Sequence, residues 1–229
     1  IGDAIASLHG VIGVLMALQS RQRTGRGQVI DVALYEAVFN MMEATLPEYA
    51  MFGQVRERTG SNLTGIVPSN TYTSKDGVHI VIGGNGDSIF KRLMVAIGRE
   101  DLATDPSLAD NAGRSKRASE LDEAIQAWTG RHAAEEVRAV LGEAQVPNGK
   151  IYSIADIVKD PQYQAREMIQ EARLPDGARM AMPGVVPRLS DTPGTIQWVG
   201  PALGQHTDEV LRAAGYSDSE IATLRKEKI

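Results

Sequence analysis

Chemistry is most plausible first at Gly83-Gly84-Asn85-Gly86-Asp87, which stands between a β-like run and a helix-like run. Amides at the start of a helix attract anions, so the place suits a phosphate cradle. The spacing matches neither glycine-rich nucleotide fingerprint, and no lysine follows the last glycine. Asp87 stands where it would cap the helix itself, so a structural turn with an aspartate cap is the preferred reading. The four histidines, His9, His79, His132 and His206, make no pair at metal-ligand spacing. His132 decorates a solvated helix start, and His79 lies on a hairpin strand. His9 falls inside an otherwise apolar helical pattern, where a neighbour's backbone satisfies the ring more often than catalysis uses it. Arg21, Arg23 and Arg26 are the only dense basic cluster, and a solvated turn is favoured over an anion grip. Residues 53–70 carry Thr59, Ser61 and Thr64 with no activating base, but Gly53, Gly60 and Gly65 permit backbone movement over a pocket. No serine sits in a hydrolase elbow pattern.

Composition narrows the field. With 24 Lys plus Arg against 29 Asp plus Glu, the 229-residue chain carries a formal charge of −5. An acidic chain is a poor general binder of nucleic acid, so none is expected as a partner. The cysteine count is 0, which removes disulfides, thiolate catalysis and cysteine-based metal sites, and no metal is expected. The longest unbroken apolar stretch, residues 11–18, is too short to span a bilayer. No basic-apolar-small leader pattern opens the chain. The expectation is a cytoplasmic protein without a membrane partner. Ile1 enters an apolar helical pattern almost at once, which reads as the C-terminal part of a longer polypeptide.

Residues 4–19 are apolar nearly all round at helical spacing, so this helix is expected to be buried. Gly25 is a plausible cap, followed by a short strand over 29–34 and a helix over 35–52 that Pro47 ends or kinks. After the long loop, Asp76-Gly77 between β-formers predicts a hairpin. Helices follow over 87–97, 119–129 and 133–144, then a Pro147-Asn148-Gly149 turn and short helical pieces over 154–158 and 162–168. A second hairpin turns at Asp176-Gly177. Residues 183–206 read as an extended crossing, and helices over 207–214 and 217–226 close the chain, with Ser217 and Glu220 fitting a capping box.

Taken together, several segments resemble the class III coenzyme A transferase family, which includes formyl-CoA transferase, crotonobetainyl-CoA:carnitine CoA-transferase and α-methylacyl-CoA racemase. They are Gly2-Asp3; Thr24-Gly25-Arg26-Gly27-Gln28-Val29-Ile30-Asp31-Val32; Gly60, Pro68, Tyr72 and Asp76-Gly77; Gly84-Asn85-Gly86-Asp87; Val146-Pro147; Asp160-Pro161; Pro183-Gly184; and the closing run from Leu203 to Leu211. Their order covers nearly the whole chain. The resemblance implies an α/β fold: the C-terminal part of a two-domain class III CoA-transferase, with a small α+β domain and helices returning to a nucleotide-binding-like large domain. On that template residues 1–55 are a large-domain segment and linker, 56–190 the small domain and 191–229 the return. The family's enzymes interlock as homodimers and take acyl-CoA and carboxylic acids as substrates. Coenzyme A thioester is thus a substrate, and no permanently bound cofactor is expected. An aspartate attacks the donor thioester to give a mixed anhydride and free thiolate, which then forms an aspartyl-CoA thioester that the acceptor carboxylate opens. That aspartate is expected upstream of this chain, so no catalytic residue is assigned here and the chain alone is expected to be inactive. Asp3 matches the family's Gly-Asp pair, not the nucleophile. Gly60, Ser61, Asn62, Leu63, Thr64 and Gly65 resemble the loop that closes over the acyl intermediates, and Leu8 and His9 the helix near the thioester. A racemase-type isomerase and a non-catalytic oligomerisation fragment are the alternatives.

Overall fold

The computed structural model describes residues 1–227. Lys228 and Ile229, the end of the expected return segment, lie outside the described residues. The apolar helical pattern at the start forms α1 (Gly2–Thr24), closed by Gly25 at φ 70°, whose N–H donates to the Arg21 carbonyl at 2.8 Å. A left-handed C-terminal residue of this kind suits glycine, which has no Cβ to clash. Two shorter helices follow, α2 (Leu34–Asn40) and α3 (Thr45–Phe52).

The next portion closes a core around a small sheet. Strands β1 (Ser69–Thr73) and β2 (His79–Gly83) pair antiparallel from Ser69↔Gly83 to Thr73↔His79 across the Asp76-Gly77 turn. In β2, Ile80 and Ile82 are buried while His79 and Val81 are exposed, the two-residue period of a half-covered strand. Against that face pack α4 (Asp87–Ala96), α5 (Glu100–Thr104), a 3-10 turn at Pro106–Leu108, α6 (Asn111–Lys116), α7 (Ala118–Thr129) and α8 (Ala134–Glu143). The buried positions repeat at helical spacing: Phe90, Leu93 and Met94 on α4, Leu121 and Ile125 on α7, Val137 and Leu141 on α8. Strand β3 (Asn148–Lys150) completes the sheet beside β2, in the order β1-β2-β3.

Helix α9 (Ile154–Lys159) opens on a capping box between Ser153 and Asp156, and α10 (Pro161–Ala165) on the Asp160 side chain with proline in its first turn. Strands β4 (Ile169–Arg173) and β5 (Arg179–Pro183) form the second hairpin. After an irregular crossing, α11 (Thr207–Ala213) and α12 (Asp218–Glu227) close the described chain. Ser217 and Glu220 make the reciprocal cap, the Ser217 N–H donating to Glu220 Oε2 at 2.8 Å.

Four expectations are corrected. Helix α1 buries none of its residues, because α2 covers only part of it and leaves Leu8, Val11, Leu15 and Met16 exposed. The strand expected over 29–34 is absent: residues 29–33 pair with no neighbouring strand that could take up their backbone groups, and Leu34 is the first residue of α2. The helix expected over 35–52 breaks at residues 41–44, where Glu43 takes φ 49°, and Pro47 sits harmlessly in the first turn of α3. Asn148-Gly149 is strand, not turn: the open edge of β2 recruits it, and Ile82 pairs with Asn148.

Candidate substrate-loop site

The glycine turn and the long loop, distant in sequence, meet back to back. The Gly84 N–H donates to the Pro68 carbonyl at 2.9 Å. A Cβ on Gly84 would stand 2.5 Å from Leu93 Cδ2 and 3.1 Å from Pro68 Cγ, so only glycine lets the two backbones approach without a shift of the core.

Asp87 does not cap α4. Gly86 occupies the cap position with no side-chain cap bond, and Asp87 lies in the first turn. Its Oδ1 accepts from Arg114 Nη2 at 2.8 Å. The side chain of Arg114 is 0% exposed. Its Nε donates to the Val67 carbonyl at 3.0 Å, Nη1 to Leu108 at 3.2 Å and Nη2 also to Asn85 at 2.8 Å. The guanidinium carbon lies 5.1 Å from the centre of the Phe90 ring. A buried cation is tolerated when its donors are matched in this way, and here the matching ties loop, glycine turn and α6 together.

The loop itself is held unevenly. Gly60 and Gly65 take φ 67° and 79°, and nothing stands within 4 Å of a Cβ built on either. Near its start the Thr59 hydroxyl donates to the Asn62 carbonyl at 2.8 Å, and Ser61 Oγ to Asn70 Oδ1 at 2.8 Å. Asn70 in turn donates to Asp122 at 3.1 Å, and Asp122 also accepts from the Tyr72 hydroxyl at 2.6 Å. Burial, reinforced by the hydrogen bond to the Asp122 carboxylate, pushes the Tyr72 phenol well above its ordinary range. At the other end Asn111 Nδ2 donates to the Gly65 carbonyl at 2.7 Å, and Asn111 Oδ1 accepts from the Val67 N–H at 3.0 Å. Leu63 and Thr64 remain exposed to solvent.

His9 occupies a different place. Its Nδ1 lies 2.9 Å from the Ile5 carbonyl, which can only accept, so Nδ1 carries the proton and Nε2 accepts from Asn40 Nδ2 at 3.2 Å. The ring is thus satisfied by a neighbour's backbone, as the apolar surroundings suggest, and also joins α1 to α2. It lines an open groove of about 330 Å³ with Met16, Ile30, Val32, Ala33 and Glu36. Leu8, its neighbour in sequence, is 65% exposed. Residues 60–65 do not line this groove, so the two sets of singled-out residues are not brought together. Of the remaining candidates, His132 accepts a place against Trp128, with ring centres 4.8 Å apart, and His79 pairs with Thr73 at the strand edge. Arg21, Arg23 and Arg26 are exposed. Among the described residues no three His, Asp or Glu side chains converge as metal ligands.

Sequence reasoning missed α6 altogether, and with it Asn111 and Arg114. The available signal was Asp110 followed by Asn111 and Gly113, a helix-start pattern in which Asp110 Oδ1 does accept from the Gly113 N–H at 2.8 Å. Asn111 and Arg114, three apart, then share one face.

Comparison with known proteins gives these features a setting. The model of CoA-transferase family III matches residues 1–207. Succinyl-CoA–D-citramalate CoA-transferase of Chloroflexus aurantiacus is 43% identical over 100% of this chain and 57% of its own length. The alpha subunit of succinyl-CoA–L-malate CoA-transferase from the same organism is 39% identical over 100% of this chain and 54% of its own length. The chain thus spans about half the length of the curated relatives it matches. Among solved structures, a CAIB/BAIF family protein from Brucella suis superposes with a TM-score of 0.75 at 28% identity, over 93% of this chain and 55% of that one. The α/β fold expected from the resemblance, that of the C-terminal part of a two-domain class III enzyme, is the fold found in these matches. The chain belongs to CoA-transferase family III.

Proposed function

We propose that this chain serves as the C-terminal portion of an acyl-CoA:carboxylate CoA-transferase that moves CoA from a donor acyl-CoA to an organic acid. The observation that carries the reading is the end-to-end match, at 43% identity, to a transferase named for succinyl-CoA and D-citramalate. In the proposed reaction a carboxylate nucleophile outside residues 1–229 attacks the donor thioester and expels CoA thiolate. The thiolate attacks the resulting mixed anhydride, releases the donor acid and leaves an aspartyl-CoA thioester. The acceptor carboxylate then attacks that thioester, and the returning thiolate takes the new acyl group and frees the aspartate.

Residues 60–65 are assigned to shield these anhydride and thioester intermediates from water. The open space around Gly60 and Gly65 supports this, since a backbone with nothing packed on its turns can swing. Leu8 and His9 are assigned to the helix near the thioester, His9 as a positioning residue through Ile5 and Asn40. The proposed division is large-domain segment and linker over 1–55, small domain over 56–190, and return over 191–229. The exposed apolar side chains of α1, including Val11, Leu15 and Met16, support a covered role in an interlocked homodimer. Although its longest unbroken apolar stretch is short, α1 as a whole is long and apolar enough to cross a bilayer by length and composition alone. Membership of an enzyme family that acts on CoA thioesters favours a cytoplasmic assembly without a membrane.

The test uses the full-length protein with succinyl-CoA and a panel of di- and hydroxy-carboxylic acids, following CoA esters by mass spectrometry. Appearance of a new acyl-CoA with equimolar succinate is the expected result. Epimerisation of a branched acyl-CoA without any exchange of acids would overturn the reading.

A further inference from the structure

We infer that Asn111 is a positioning residue for the substrate loop, the fixed end about which residues 60–65 stand. The inference rests on the transferase reading for its catalytic consequence and on geometry for its physical content. One planar amide grips both sides of a single turn of chain, donating to the Gly65 carbonyl at 2.7 Å and accepting from the Val67 N–H at 3.0 Å. At the same residue, the Val67 carbonyl accepts from buried Arg114, on the same face of α6. The strand that follows is locked by the sheet, so residues 65–67 form the boundary between fixed and free backbone. On the near side, among the described residues, residues 60–65 meet β1 through the exposed Ser61–Asn70 side-chain bond and one long backbone bond, from the Leu63 N–H to the Ser69 carbonyl at 3.2 Å. Those bonds open independently, whereas the Gly65 bond, though exposed, is held in place by the part-buried Val67 bond to the same amide. Asn111 therefore sets the place and direction from which the loop departs, without touching substrate itself.

Two substitutions separate the components. Asn111→Ala removes both bonds. Asn111→Asp keeps an acceptor for the Val67 N–H but turns an oxygen toward the Gly65 carbonyl, so it frees only the loop side. In full-length protein, hydrogen exchange is expected to rise about tenfold at residues 62–66 in both variants and at Val67 in Asn111→Ala alone, while α7 and β2 keep their protection. The melting temperature falls by about 2–4 °C, the scale of a modest local loss. With succinyl-CoA as donor, kcat drops about tenfold and KM changes less than about threefold, since a displaced loop impairs the closed state more than initial binding. Exchange that rises evenly across the core, or unchanged kcat in both variants, overturns the inference. If the unmodified protein transfers no CoA, the transferase reading is what fails, and exchange at residues 62–67 then decides whether Asn111 holds the loop.

Discussion

Residues 1–52 and residues 67–146 are both rich in apolar side chains, yet they use them in opposite ways. In the second region the helices and the small sheet close on one another: Leu93, Leu121, Ile125, Val137 and Leu141 are fully buried. In the first, α1 leaves Met16 66% exposed and Phe52 on α3 74% exposed. Periodicity foretells which side chains seek cover, but cover itself must come from a second surface. The core region carries its own. The helical region finds little cover among the described residues, in keeping with the interlocked assembly proposed above.

The largest effect that would break this contrast belongs to Arg114. Arg114→Met retains volume but strands the carbonyls of Val67, Asn85 and Leu108, and is expected to cost about 3–5 kcal/mol in denaturant unfolding. A loss near zero would show that the loop, the turn and α6 are not tied through this side chain. Next comes Leu121→Ala, a cavity in the core, expected to cost about 2–4 kcal/mol by the same measurement. Leu15→Ala, on the exposed face of α1, should change the stability of this chain by less than about 0.5 kcal/mol. The same substitution should weaken subunit assembly of full-length protein in analytical ultracentrifugation.

The smallest effect is one of pH. Arg117 and then Ser107 hold the Asp105 carboxyl down to about 2 in the folded chain, against about 3.9 for a free aspartate. The charged form is favoured by folding, so its contribution is complete above about pH 4 and is lost as the pH falls toward 2. The melting-temperature gap between the unmodified chain and Asp105→Asn should therefore narrow over that interval. A gap that stays constant would assign the interaction to hydrogen bonding alone.

How much of this was legible in the residues varied with how local the cause was. Both hairpins announced themselves through Asp-Gly turns, and the Ser217–Glu220 cap through its spacing, because each depends on neighbours in sequence. The family resemblance was legible across the chain. Asp87 misled, since a carboxylate at a helix start fits a cap as well as an ion pair, and its partner Arg114 is 27 residues away. Arg114 itself, followed closely by Lys116 and Arg117, looks like a solvated charge run. Nothing within that run marks which of the three turns inward. The loop at 60–65 was singled out by its glycines, but its tie to α6 was not, because Asn111 reaches it across 46 residues. The expected strand at 29–34 failed for the complementary reason: loose alternation was present and a pairing edge was not, and Leu34 already opens α2.

The contrast between the two regions is tested most directly by amide hydrogen exchange on this chain and on the full-length protein in parallel. The account predicts slow exchange for α7 and β2 in both, and fast exchange for α1 in this chain that becomes strongly protected in the full-length assembly. Equal, strong protection of α1 in both would contradict it.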